Sequence, residues 1–456
     1  MAKQGDSYSL SCNPDITLDI LPELRRRGGC LVIGQVNAEL PFMGGEAALP
    51  AAAFTDILEG PDYEFPLFGL PKPAVSDADF AAAMHAASLV PDGGTLQIGI
   101  GSLGDAVTHA LILRQRDNAL FRATLARLGS SVEAGPFERG LYGASEMFVD
   151  GFLELYRAGI LKRQAEDGAL LHAGFFLAGR DFYRALREMP AAERERFRMT
   201  AISYVNELYG DEARKRRERV GARFINNAMM VTLLGAVVSD GLDSGQVISG
   251  VGGQYNFVAQ ALALDDARSI IALSATRDAG GQAASNLLWS YGHTTIPRHL
   301  RDLVITEYGV ASLRGETDRD CIAAMLAIAD ARFQDQLLEQ AKRAGKIESG
   351  YRLSEPDNTA EKIHEALAPA RGQGWFSSYP FGTDFSPAEQ RLLPALKHLK
   401  AISGSNWRLA RELWRGLRAP PPAADELAAL ARMGLDRPAG PRERAYRALL
   451  RAALAA

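Results

Sequence analysis

The chain has 456 residues, 47% of them hydrophobic and 23% charged, with a formal net charge of -4. That balance suits a soluble globular protein of two or more domains and excludes a long disordered acidic or basic tract. Without a broad basic surface or an apolar run long enough to cross a bilayer, neither nucleic acid nor a membrane is expected as a partner.

Cys12, Cys30 and Cys321 are scattered, which argues against a disulfide framework or a zinc-thiolate site. The seven histidines form no HExxH-like spacing, so no metal is expected. The opening Met1-Ala2-Lys3-Gln4-Gly5-Asp6 has no basic segment followed by an apolar run. A cytoplasmic location is therefore the expectation.

In chain order, Cys30 to Asn37 reads as a buried strand, short, apolar and closed by turn residues. Asp77 to Val90 reads as a helix capped at Ser76 or Asp77. Thr95 to Ile98 is a strand, followed by a glycine turn and a helix from Asp105 to about Leu113. Leu170 to Phe176 is a strand, and Arg180 to Glu188 and Ala191 to Phe197 are helices. The mixed-charge run from Asp211 to Arg219 reads as a solvated helix face or a domain junction, with cations that could meet a phosphate.

Strands are expected at 222–234, 236–239, 246–249, 269–274 and 303–306, and helices at 256–264, 318–329 and 331–344. This alternation predicts α/β architecture with mostly parallel sheets covered on both faces. Four helices are expected within 392–455. The expected domains are residues 1–218, residues 219–386 and a helical tail over 387–456.

Gly99-Ile100-Gly101-Ser102-Leu103-Gly104 fits a dinucleotide-binding fingerprint. The second strand that such a site needs does not follow, since Arg114 to Arg122 reads as helix or loop. Two other readings stand beside it. One is a backbone cradle for a carboxylate or thioester oxygen. The other is a tight turn only.

Four segments taken in order carry a resemblance. They are Val90-Pro91-Asp92-Gly93-Gly94-Thr95-Leu96-Gln97-Ile98-Gly99-Ile100-Gly101, Ser145-Glu146-Met147-Phe148-Val149-Asp150-Gly151, Ile248-Ser249-Gly250-Val251-Gly252-Gly253-Gln254-Tyr255-Asn256-Phe257, and Val304 to Gly315. Over residues 30 to 345 the chain resembles the acetyl-CoA hydrolase/transferase family of class I CoA-transferases. The resemblance implies two open, mostly parallel sheet domains of the CoA-transferase type with a helical C-terminal appendage. It implies coenzyme A as substrate or ligand, a short-chain carboxylic acid as partner and no permanently bound cofactor. A homodimer or other homo-oligomer is also expected.

The family's chemistry is ping-pong: a glutamate attacks the thioester, and a glutamyl-CoA intermediate follows. The resemblance implies backbone donation from Gly99 and Gly101 on one side and Gly252 and Gly253 on the other, with Gly250, Gln254 and Asn286 also at the substrate. In the matching strand, Ile225 to Gly235, the glutamate's place falls on Met230. A thioether cannot form an acyl anhydride, and its ordinary role is apolar packing. Asn256 stands where an aspartate is usual, and the stretch before Cys30 is short against the family pattern.

Glu207 is the speculative relocated base. Glu146 matches a residue common in the family, for which a structural or substrate-positioning role is expected. Glu307 is expected to bond loop backbone, and Asp240 to cap a turn. Two functions remain open: an acyl-CoA hydrolase or CoA-transferase acting on small-acid thioesters, and a catalytically silent CoA-binding paralogue. In this register, Met230→Glu would create or raise transferase activity.

Overall fold

The computed structural model describes residues 1–455 except 70, 131, 133 and 354–356. The chain forms two compact units. One takes in residues 1–276 and 285–381, the other residues 277–284 and 382–456.

The larger unit is built on an eight-stranded sheet. Its order is Gly309–Ser312, Leu303–Thr306, Arg268–Ala272, Arg223–Asn227, Thr95–Ile98, Tyr142–Met147, Leu171–Phe175 and Phe197–Met199. Every neighbouring pair is parallel except the hairpin of the first two. The expected open, mostly parallel α/β fold is therefore present. The expected 218/219 boundary falls inside this unit, between the Phe197–Met199 and Arg223–Asn227 strands of the common sheet.

Sequence explains the middle of this sheet well. Thr95–Ile98 and Leu303–Thr306 are buried at every position, as parallel strands covered on both faces must be. The Asp77–Ser88 helix begins with a capping box in which Ser76 and Asp79 bond each other's backbone N–H. It is buried all round from Phe80 to Ser88, because alanine on most sides lets neighbouring elements approach closely. The Ser102–Arg116 helix packs beside it, and both feed one large core with Phe121, Phe148 and Phe152. Each such large side chain contributes about 1.5–3 kcal/mol on burial.

Several expectations fail locally. Cys30 to Asn37 is not a buried sheet strand. Only Ile33–Gln35 is extended, pairing with Asp56–Leu58 in a separate two-stranded sheet, while Cys30 and Leu31 are exposed. The 222–234 run is two strands in different sheets. After Arg223–Asn227, Met230–Thr232 joins a three-stranded sheet, antiparallel to Val237–Val238 and parallel to Leu287–Leu288. The 246–249 stretch forms no strand beyond an isolated bridge from Val247 to Gly241. Phe197 opens a strand rather than closing a helix.

The charged run also differs. Within and just after the Glu212–Glu218 helix, Lys215, Glu218 and Arg219 are buried. The Lys215 ammonium donates to the carbonyls of Glu207 and Tyr209, and Arg219 donates to those of Tyr204 and Val205 and to Gln260. These cations satisfy local backbone rather than facing solvent.

The smaller unit holds four helices, Pro387–Ile402, Asn406–Leu417, Ala424–Arg432 and Pro441–Leu454, around Leu392, Leu430 and Leu450. Among the described residues, no helix is long and apolar enough to cross a membrane, and no group of three or more His, Cys, Asp or Glu could hold a metal ion.

Candidate functional site

The order of the large sheet reverses at one place. From Thr95–Ile98 the chain proceeds outward through the Tyr142, Leu171 and Phe197 strands, then returns to place Arg223–Asn227 on the other side of Thr95–Ile98. Open α/β sheets bind ligands at the carboxyl ends of the strands flanking such a reversal. A cavity of about 500 Å³ lies there, lined by Gln97, Gly99, Glu146, Asn226, Met229 and Gly252 among others. That volume lies in the usual range for small-molecule sites.

One wall is the glycine turn after Thr95–Ile98. The Gly99 N–H donates to the Ile225 carbonyl at 3.2 Å, which ties the turn to the neighbouring strand. Asn227 adds a bond from its side-chain amide to the Ile100 carbonyl at 3.1 Å. Gly101 has φ +100°, which favours glycine, and a Cβ on Gly104 would stand 2.3 Å from the Gly99 oxygen. Small residues thus let the Ser102–Arg116 helix start directly against the turn. Gly101 lines a separate small space on that side with Lys72 and Asp105. Burial pushes the Asp105 carboxyl up to about 6, opposed by Lys72.

The opposite wall is the loop Ser249 to Gly252, leading into the Gln254–Ala263 helix. Gly252 has φ +55°. The Gly253 N–H donates to Glu146 Oε2 at 2.6 Å. Gln254 donates from Nε2 to the Asn227 carbonyl at 2.8 Å, while its buried Oε1 has no partner among the described residues. No acceptor among the described residues takes the N–H of Ile100 or of Gly252.

Glu146 stands near the end of the Tyr142–Met147 strand and borders the cavity. Burial is the main cause holding its carboxyl above the usual range. The Gly253 N–H opposes that rise and Asp15 adds to it. At the floor, the amides of Gln97 and Asn226 bond each other.

The strand crossover decides where the two methionines point. Ala228 N–H still bonds to the Ala272 carbonyl in the large sheet, whereas Met229 N–H bonds to the Val238 carbonyl in the small one. Met229 borders the cavity. Met230 is 4% exposed and does not line it; it opens the Met230–Thr232 strand, which is buried at every position.

The other expected site residues fall as follows. Gly99, Gly250, Gly252 and Gln254 line the cavity, and Gly253 sits at its edge through Glu146. Asn286 is buried away from the lining, its amide donating to the Ser274 carbonyl. Glu207 is outside the lining and accepts from the Asn256 amide at 2.6 Å. Glu307 accepts from the Ala275 N–H, and Asp240 from Thr295 and bonds His293. Gln97, Asn226, Met229 and Ser239 line the cavity without having been singled out. A polar Gln97 between Leu96 and Ile98 in a short buried strand was the available signal.

The acetyl-CoA hydrolase/transferase C-terminal domain matches residues 179–341. The chain is 31% identical over 319 residues to 4-hydroxybutyrate coenzyme A transferase of Clostridium kluyveri, covering 69% of this chain and 65% of that protein. It is 28% identical over 338 residues to butyryl-CoA:acetate CoA-transferase of Anaerostipes caccae, covering 71% and 67%. It thus spans about two thirds of the length of these curated relatives. Among solved structures, RipA from Yersinia pestis superposes with a TM-score of 0.61 at 25% identity, covering 76% of this chain and 69% of that one.

Proposed function

We propose, from the match of residues 179–341 to the acetyl-CoA hydrolase/transferase C-terminal domain, that the chain binds acyl-CoA thioesters of short carboxylic acids at the switch-point cavity and hydrolyses them or transfers their CoA. The observation that carries this reading is a cavity at the sheet reversal with a glycine turn on either side. The two relatives named above act, by name, on 4-hydroxybutyrate and on butyryl-CoA with acetate, which supports a small acyl group.

Thioester chemistry develops negative charge on the carbonyl oxygen as the nucleophile adds, and preorganised N–H donors stabilise it. The N–H groups of Gly99 and Gly253 are already engaged by Ile225 and Glu146. The donors offered here are the neighbouring N–H groups of Ile100 and Gly252. The amides of Gln97, Asn226 and Gln254 suit the polar carbonyl and carboxylate groups of such substrates. Coenzyme A enters as substrate rather than as a resident group. A homo-oligomer in the cytoplasm completes the proposal, to be checked by light scattering and cell fractionation.

The test is thiol release from acetyl-CoA and butyryl-CoA, with and without acetate, butyrate or 4-hydroxybutyrate, alongside calorimetric CoA binding. Thiol release, or acyl exchange that depends on added acid, is the expected result. CoA binding with neither overturns the enzymatic reading, and the absence of binding overturns the whole proposal.

A further inference from the structure

Among the described residues lining the cavity, Glu146 alone carries an ionisable side chain. The remainder are backbone, amide, hydroxyl or apolar groups. A thioester bound there would meet a single carboxylate, and it would come from the Tyr142–Met147 strand rather than from the segment around residue 230.

The setting of this carboxylate suits attack. Oε2 takes one bond, from the Gly253 N–H, and no described lysine or arginine pairs with either oxygen. Oε1 has no hydrogen-bond partner among the described residues. A Cβ on Gly252 would stand 3.2 Å from both oxygens, so the absence of a side chain there keeps the carboxylate uncovered. A carboxylate that is partly desolvated and not ion-paired keeps its electron density available for a carbonyl carbon. The single bond to Gly253 fixes its direction, and the same glycine turn offers the Gly252 N–H to the developing oxyanion.

We propose that Glu146 is the nucleophile of this site. The assignment rests on the acyl-CoA reading above. Oε1 adds to the thioester carbonyl carbon, the C–S bond breaks, and the electron pair leaves as CoA thiolate. The product is an acyl–glutamyl anhydride. Water attack on the anhydride returns the free acid and the Glu146 carboxylate; one proton of the water goes to the thiolate and the other to solvent. If the thiolate attacks the glutamyl carbonyl instead, the original acid leaves as a carboxylate and a glutamyl-CoA thioester remains on Glu146. An incoming carboxylate then reverses both steps.

The test uses the full chain with acetyl-CoA. Borohydride reduction or hydroxylamine trapping during turnover, followed by peptide mass spectrometry, is expected to mark the peptide containing Glu146. Glu146→Gln retains an acceptor for the Gly253 N–H and loses the nucleophile. It is expected to lower kcat at least about 1,000-fold while CoA affinity stays within about threefold. Turnover by the wild-type protein with no mark at Glu146, or with the mark on another residue, overturns the assignment whether or not the variant folds. Undiminished turnover by a folded Glu146→Gln does the same and leaves the acyl-CoA reading intact. A wild-type protein that binds CoA but neither releases thiol nor exchanges acyl groups with added acid refutes both.

Discussion

Met230 pairs with Val238 across an antiparallel register, and that pairing buries its side chain while Met229, one residue earlier, borders the cavity. A carboxylate at 230 would enter the core without a cation. The expected cost of Met230→Glu is about 3 kcal/mol or more. Met229→Glu puts the carboxylate at the cavity wall and is expected to cost less than about 1 kcal/mol. Denaturant unfolding of the two variants checks the order. A stable Met230→Glu that gains thiol release would mean that position 230 faces the substrate after all.

The Gly252-Gly253 turn is held against Glu146 with no room for a side chain. A Cβ on Gly253 would meet both Asn206 Nδ2 and Glu146 Oε2 at 2.7 Å. Gly253→Ala is therefore expected to displace the carboxylate and lower kcat/KM by about tenfold or more. Gly252→Ala places a side chain at φ +55° and is expected to cost about 1 kcal/mol of stability. At Gly250 nothing lies within 4 Å and φ is not positive, so Gly250→Ala is expected to melt like the parent. Thermal melts and steady-state kinetics on the three variants decide it, and a fully active Gly253→Ala would contradict the geometry.

Legibility of the fold followed locality. Thr95–Ile98 was readable because a short stretch with Leu96 and Ile98 ends at the turn residue Gly99, and Arg180–Glu188 because its amphipathic period is strong. Tyr142–Met147 was not, since Tyr-Gly-Ala-Ser-Glu-Met lacks the β-branched residues that mark strands and gains its stability from burial between neighbours. The 222–234 run looked like one strand because neither glycine nor proline marks the crossover at Ala228-Met229. Only pairing with Ala272 on one side and Val238 on the other divides it. The Gly99 turn of the site was legible from its spacing, the Gly252-Gly253 turn only through the family resemblance. Which carboxylate borders the cavity was not, because it depends on strands brought together across more than a hundred residues.

Asp302 ties three segments at the amino end of the Leu303–Thr306 strand. It accepts from Arg268 at 2.7 Å, from Arg314 and from the Ser269 N–H at 2.8 Å, with its carboxylate almost fully buried. Asp302→Asn leaves two half-exposed guanidinium groups short of charge. The expected loss is about 2–4 kcal/mol, below the figure for a fully buried pair because solvent still reaches both arginines. Urea unfolding followed by tryptophan fluorescence measures it, and a loss under about 0.5 kcal/mol would show that the cluster contributes little.

Glu307 sets a pH dependence of the opposite sign to ordinary carboxylates. It is buried in the turn between Leu303–Thr306 and Gly309–Ser312, accepts from the Ala275 N–H at 2.8 Å, and is pushed up to about 7, chiefly by burial. Its unfolded value is the ordinary one of about 4.3, so between these two values the folded chain holds more protons than the unfolded chain. Stability therefore falls as pH rises through that window, and above about 7 the charged group stands buried at full cost. Glu307→Gln keeps an acceptor for Ala275 and removes the titration. The variant is expected to gain on the order of 1–3 kcal/mol over the parent at pH 8 and to match it near pH 4. Unfolding curves for both proteins across that range check the sign. A parent whose stability rises relative to the variant between pH 5 and 7 would show that Glu307 is ionised and well solvated in the folded state.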